Sequence, residues 1–157
     1  MAKIKHIAIR TRDVEKTAAF YKAAFGLREV GLGRNGVYLT DGYLNVAVLG
    51  FQAGADGEPL RLGLDHLGFQ VDDLEAALDR IRRSGGTTLA EGDETPPTDP
   101  GRRSYYEVKC LGPDGQVIDV SAGGWVGAPP VEGGTEEGGY GARKRRWRTA
   151  SSVGRSR

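Results

Sequence analysis

Shifting the chain along itself by 60 residues lays KHIAIRTRDVEKTAAFY, from Lys5, over DHLGFQVDDLEAALDRI, from Asp65. His6 then falls on His66, Ile7 on Leu67, Ile9 on Phe69, Asp13 on Asp73, Val14 on Leu74 and Glu15 on Glu75. A repeat constrains the fold more than any local propensity, because each copy must form the same supersecondary unit. Each copy opens with an alternating stretch, Lys3 to Arg10 and Leu64 to Val71. Ile7 and Ile9, or Leu67, Phe69 and Val71, share one face, the pattern of a half-buried strand. An aspartate placed to cap a helix follows, Asp13 or Asp73, and then a helical spacing: Val14, Ala18, Tyr21 and Phe25, or Leu74, Ala77, Leu78 and Ile81. Gly26 and the Gly85-Gly86 pair are expected to stop these helices.

The first copy continues through LREVGLG, VYLT and YLNVAVLG, with turns expected at Asn35-Gly36 and Asp41-Gly42. The second continues through TTLAE, a polar loop from Gly92 to Arg103, SYYEVKCL, a turn at Gly112-Pro113-Asp114-Gly115, and QVIDVSA. The unit is strand, helix, strand, strand, strand, used twice, which makes the fold class α+β. The Gly-rich joint FQAGADGEPLRLG is long enough for the units to pair within one chain or be exchanged between two.

At 157 residues, 38% of them hydrophobic, the chain supports one core of ordinary size. We expect a domain over 1–127, with modules at about 3–50 and 64–126, and a disordered Gly/Arg-rich tail over 128–157. The 22 basic residues nearly balance the 21 acidic ones, so net charge gives no general reason to expect nucleic acid or membrane as a partner. The basic run Arg143 to Arg148 around Trp147 is read as a solvated extension rather than a nucleic-acid site. One cysteine, Cys110, and an N-terminus without an apolar signal stretch point to the cytoplasm. No apolar run reaches the roughly 20 residues of a membrane-spanning helix.

The only two histidines in the chain stand at one repeat position, on the strand face opposite the apolar row. Neutral imidazole binds divalent metals well, and two such strands meeting across a pseudo-twofold axis bring the rings together. In QVIDVSA, Asp119 alternates with Ile118 and Val120 and so shares the histidine-bearing face. Two imidazoles and a carboxylate leave roughly three positions of a six-coordinate ion open to substrate, an arrangement suited to Fe2+ and possible for Mn2+, Ni2+ or Zn2+. Strand parity also nominates Tyr105, Glu107 and Lys109: Glu107 as a general base, Lys109 to hold a carboxylate or oxyanion. Cys110 lies on the apolar row and reads as a buried small hydrophobe. Trp125 follows the last strand and either closes an edge of the site or packs at a subunit contact.

HIAIRTRDVEKTAAFY, DHLGFQVDDLEAAL with its following Gly-Gly, and GPDGQVID together resemble the vicinal oxygen chelate superfamily, which includes glyoxalases, bleomycin-resistance proteins and extradiol dioxygenases. The resemblance covers roughly residues 3 to 126. It implies paired βαβββ modules whose curved sheets form a cup-shaped metal site, with His6, His66 and Asp119 at the ligand positions and a homodimer as the assembly. Asp119 stands where the family usually has glutamate. Asn45 is taken to stand where glyoxalase I has a second glutamate, and its carbonyl is at most a weak fourth ligand.

The resemblance further implies one divalent ion and a small oxygenated metabolite as substrate. A glyoxalase- or epimerase-type lyase or isomerase working by metal-stabilised enolate chemistry is the first reading. An extradiol-type dioxygenase is the alternative, although such enzymes use a further histidine and a tyrosine near the position of Lys109, and this chain has neither. Fosfomycin-modifying members look similar through NGVYLTDGYLNVAVL, but their threonine two residues after the first ligand is Ala8 here and their potassium-loop pattern is absent. A metal-free binding protein of the bleomycin-resistance type is the rival from a different class.

Overall fold

A computed structural model describes residues 1–33, 35–50, 62–91 and 107–129. The first module consists of β1 (Lys3–Thr11), α1 (Val14–Phe25), β2 (Arg28–Gly33), β3 (Gly36–Thr40) and β4 (Asn45–Gly50). The second consists of β5 (Gly63–Gln70), α2 (Leu74–Arg83), β6 (Thr87–Glu91), β7 (Val108–Leu111) and β8 (Val117–Ser121). The βαβββ unit therefore occurs twice. The joint at 51–61, the loop from Gly92 to Arg103, the start of SYYEVKCL with Tyr105, and the tail from 130 onward lie outside the described residues.

Both helices begin as their aspartates dictate. Asp13 and Asp73 hold extended backbone and accept hydrogen bonds from the amides of Lys16 and Ala76, at 2.9 and 3.1 Å. Gly26 ends α1 in the left-handed conformation, at φ 71°. The second helix is stopped by the Gly85-Gly86 pair, as expected. Ser84 is its cap, and Gly85 and Gly86 donate back to the carbonyls of Arg82 and Ile81, a paired closure that only a left-handed residue at Gly85 permits. The turn after β2 differs from expectation, because Gly36 is already the first residue of β3. A Cβ there would stand 2.0 Å from the carbonyl oxygen of Val48, so the glycine serves close strand approach rather than turn geometry. The Asp41-Gly42 turn forms as expected, with Asp41 Oδ1 accepting from the amides of Tyr43 and Leu44.

The eight strands form one curved, open sheet in the order β2-β3-β4-β1-β5-β8-β7-β6. β1 and β5 pair antiparallel at its centre, β4 lies parallel to β1, and β8 lies parallel to β5, so the modules are related by a pseudo-twofold axis between β1 and β5. Each helix covers the outer face of its own module. Leu39 and Val48 pack with Ala18 beside Val14, Val37 and Val46, and Val108, Cys110 and Val120 pack with Leu74 and Ala77 beside Ile81 and Ile118. This is the parity read from the sequence: Ile118 and Val120 face the helix, and Asp119 faces away.

Burial does not follow hydrophobicity on the two central strands. Ile7, Ile9, Leu67 and Phe69 are half-buried, whereas His6 and His66 are only 4% and 7% exposed. The segment after β8 explains this, because it crosses the histidine-bearing face. Gly124 lies against Gln70 of β5, Trp125 covers Gly68 and His6, the Val126 carbonyl accepts from the Asn45 amide at 2.8 Å, and the Gly127 carbonyl accepts from the Thr40 hydroxyl at 2.6 Å. No helix among the described residues is long and apolar enough to cross a membrane.

Candidate metal centre

The β1–β5 ladder sets His6 opposite Gly68 and His66 opposite Ala8. Each ring therefore faces a residue with little or no side chain and leans across the strand pair. The Nε2 atoms of His6 and His66 lie 3.2 Å apart, and Asp119 Oδ2 is 3.0 Å from His66 Nε2. One potential ligand atom from each of His6, His66 and Asp119 lies within 4.8 Å of the others. All three are brought together by the antiparallel pairing of β1 with β5 and the parallel pairing of β5 with β8. The donor set, two imidazole nitrogens and one carboxylate oxygen on buried strands, fits a divalent transition-metal ion.

The far nitrogen of each ring is held by a different group. Asn45 Oδ1 lies 2.7 Å from His6 Nδ1. The Asn45 amide nitrogen already donates to the Val126 carbonyl, so its oxygen faces the ring and His6 carries its proton on Nδ1. On the other side Asp65 Oδ2 lies 2.8 Å from His66 Nδ1, and a carboxylate can only accept. Both rings thus turn Nε2 inward. This corrects the reading of Asn45 as a weak fourth ligand, since its oxygen is engaged in orienting His6. Ladder register corrects the alignment as well: Gly68 pairs with Asp119, and its repeat counterpart Ala8 pairs with Ala47. Ala47, not Asn45, occupies the place of Asp119 in the first module and offers no ligand.

Electrostatics divide the pair. Burial, and then the neighbouring His66, push the pKa of His6 down to about 4. Burial works against charge on His66 too, but hydrogen bonds to Asp119 and Asp65 outweigh it and raise that pKa to about 9. Asp119 is pulled down to about 2, its burial being overcome by His66 and Lys109, and Asp65 is held far below the usual carboxylate range mainly by its bond to His66. The proton on His66 stands where a cation would bind.

Lys109 and Glu107 lie on the site's face as strand parity nominates. Lys109 Nζ is not free in the cup: it donates to both oxygens of Asp119, at 2.6 and 2.8 Å. Glu107 Oε2 accepts from the Trp125 indole N–H at 3.0 Å, and burial followed by the charge of Asp119 pushes its pKa up to about 7. Trp125 closes an edge of the cup and stacks on His6 at 4.8 Å and 11°. A Cβ on Gly68 would collide with that indole and with His6, at 2.8 and 2.6 Å. The buried Cys110 has a raised pKa and packs in the core, as a small hydrophobe should. Strand alternation sets Arg10 and Gly68 on the histidine-bearing face but gives them no role, and Asp65 is not singled out at all. The available signal was the small residue two places after each histidine, Ala8 and Gly68.

Residues 3–120 match the model of the Glyoxalase/Bleomycin resistance protein/Dioxygenase superfamily. The chain belongs to this family. It is 26% identical over 127 residues to metallothiol transferase FosB of Shouchella clausii (strain KSM-K16), covering 76% of this chain and 80% of that protein. Among solved structures it resembles hypothetical protein BH1468 from Bacillus halodurans C-125, with a TM-score of 0.57 at 15% identity over 76% of this chain and 92% of that one. A methylmalonyl-CoA epimerase from Streptomyces coelicolor gives a TM-score of 0.54 at 19% identity, covering 75% of this chain and 94% of that one. The 2,3-dioxygenase LapB from Pseudomonas sp. KL28 gives 0.56 at 21% identity, covering 80% of this chain but 42% of that one. These structural likenesses carry the fold alone.

Proposed function

We propose that the protein is a divalent-metal-dependent enzyme of the glyoxalase or epimerase type, moving a proton next to a carbonyl of a small oxygenated metabolite. The observation that carries this reading is the Glu107 carboxyl, which is held by the Trp125 indole N–H at the wall of the site and whose burial favours the protonated form. His6 and His66 through Nε2, and Asp119 through its carboxylate, would hold one ion, of Fe2+, Mn2+, Ni2+ or Zn2+. When bound, that ion supplies a Lewis acid that polarises adjacent substrate oxygens. Glu107 accepts the proton from the carbon beside the carbonyl and returns it, while the Trp125 N–H fixes Oε2. Trp125 and the crossing segment exclude water from one wall. Lys109 shields the Asp119 charge by donating to both of its oxygens, and would have to leave at least one of them to hold an anionic substrate group. Residues 1–127 form the catalytic domain in this reading, acting as a homodimer in the cytoplasm.

The test is solvent-deuterium incorporation into a panel of small 2-oxo and 2-hydroxy acids and acyl thioesters by the metal-loaded protein. Glu107→Gln should abolish incorporation while retaining the ion. Oxygen consumption with a catechol would favour a dioxygenase instead, and stoichiometric ligand binding without metal would favour sequestration. The FosB similarity favours group transfer from a thiol as the second reading; metal-dependent consumption of a low-molecular-weight thiol, unaffected by Glu107→Gln, would promote it.

A further inference from the structure

Arg10 and Asp65 stand outside the ligand set, yet they are the best-organised charged pair beside it. Arg10 sits on the histidine-bearing face of β1, four residues after His6, and Asp65 precedes His66 on β5. The guanidinium addresses the carboxylate with two nitrogens, Nε to Oδ1 at 3.1 Å and Nη2 to Oδ2 at 3.4 Å. Its third nitrogen, Nη1, donates to the Gly50 carbonyl at the end of β4, at 3.1 Å. Asp65 Oδ2 in turn accepts from His66 Nδ1. A chain of bonds thus runs from the backbone of the first module, through Arg10 and Asp65, to the imidazole of the second. Both members are only about a quarter exposed. A planar fork on a carboxylate fixes orientation as well as distance, which a lysine cannot do.

We propose that Asp65, clamped by Arg10, is the positioning residue that sets the tautomer and ring plane of His66, so that the second ligand is aimed by a residue of the first module. This rests on the reading that His66 ligates a metal. It assigns Arg10–Asp65 a task that the first histidine gives to Asn45, and it predicts that the two modules cannot each build half a site independently.

Zinc alone serves as the probe, titrated into the metal-free full chain against a chromophoric chelator. Asp65→Ala should weaken zinc affinity by about 10–100-fold, and Asp65→Asn, which keeps an acceptor, by less. Arg10→Lys keeps the charge and removes the fork; we expect a loss of a few-fold that disappears in the Asp65→Ala background, because the two act through one bond. Imidazole nitrogen NMR of the zinc-loaded chain, which has only two histidines, should show the His66 Nδ1–H signal lost or shifted in Asp65→Ala, with that of His6 unmoved. A lowered melting temperature with unchanged zinc affinity and unchanged His66 signals would overturn the proposal and leave the pair a module clamp. Failure of the wild-type chain to bind zinc, or any other divalent ion tried, would instead overturn the metal reading itself.

Discussion

The two modules share a framework but not a chemistry. His6 and His66 occupy one repeat position, follow one strand geometry and turn the same nitrogen inward, yet their surroundings drive their basicity in opposite directions. His6 has an amide carbonyl on its far nitrogen and an indole on its face, and titrates near 4; His66 lies between two carboxylates and titrates near 9. Duplication placed the two histidines, and the residues that break the repeat set what they do. Asn45 and Trp125 act on the first histidine, Asp65 and Asp119 on the second, and none of these four stands at a repeat position equivalent to another's.

The comparison breaks most completely at the ligands. His6→Ala and His66→Ala should each cost more than about 100-fold in divalent-ion affinity, exceeding the loss on removing an orienting neighbour. Equilibrium dialysis with elemental analysis would show it, and a variant that kept a tightly bound ion would remove that residue from the site.

Next in size is the pH response of the metal-free chain. The folded pKa of His66 is raised, so its contribution to stability is complete below the unfolded value of 6.5 and is lost as pH rises through about 9. That of His6 is lowered, so the folded state resists a proton that the unfolded state accepts, and stability falls as pH drops from 6.5 towards 4. Urea unfolding across this range should find the alkaline limb flattened in His66→Gln and the acid contribution removed in His6→Gln. Equal pH profiles for the two variants would mean the histidines are electrostatically alike. Zinc binding near pH 7.5 should correspondingly release about one proton, read by calorimetry in buffers of different ionisation enthalpy.

Gly68→Ala sharpens the contrast sterically, because the repeat partner Ala8 already carries the methyl that Gly68 cannot accept. The clash with His6 and Trp125 should cost about 1–3 kcal/mol of unfolding free energy and shift tryptophan fluorescence. The smallest effects belong to the features the modules share. Asp13→Ala and Asp73→Ala should each cost about 1 kcal/mol, the same within error, by thermal denaturation.

Those shared features are also what could be read from the sequence. Alternation along QVIDVSA separated Asp119 from Ile118 and Val120, capping aspartates marked both helices, and the repeated histidine pointed to the side-chain cluster that the strands bring together. Strand register was not legible. Whether Asn45 or Ala47 answers to Asp119 depends on how β4 slides along β1, and that is fixed by ladder bonds between residues 39 positions apart in sequence. The link between Arg10 and Asp65 was illegible for the same reason: alternation sets Arg10 on the histidine-bearing face, but only the antiparallel pairing of β1 with β5 brings Asp65 to it. Trp125 sits in a Gly-rich stretch without periodicity, where side-chain direction has no rule to follow.

The segment after β8 has a temporal corollary. It reaches back over strands made much earlier to brace Asn45 and Thr40 and to lay Trp125 on His6. A nascent polypeptide emerging from the ribosome would hold all three prospective ligands once β8 had appeared, yet its first imidazole would still lack its stacking partner and its anchored amide. Maturation of the centre therefore waits for the final few residues of this closing stretch, and trimming the gene just upstream of Trp125 should leave a folded but poorly loaded product.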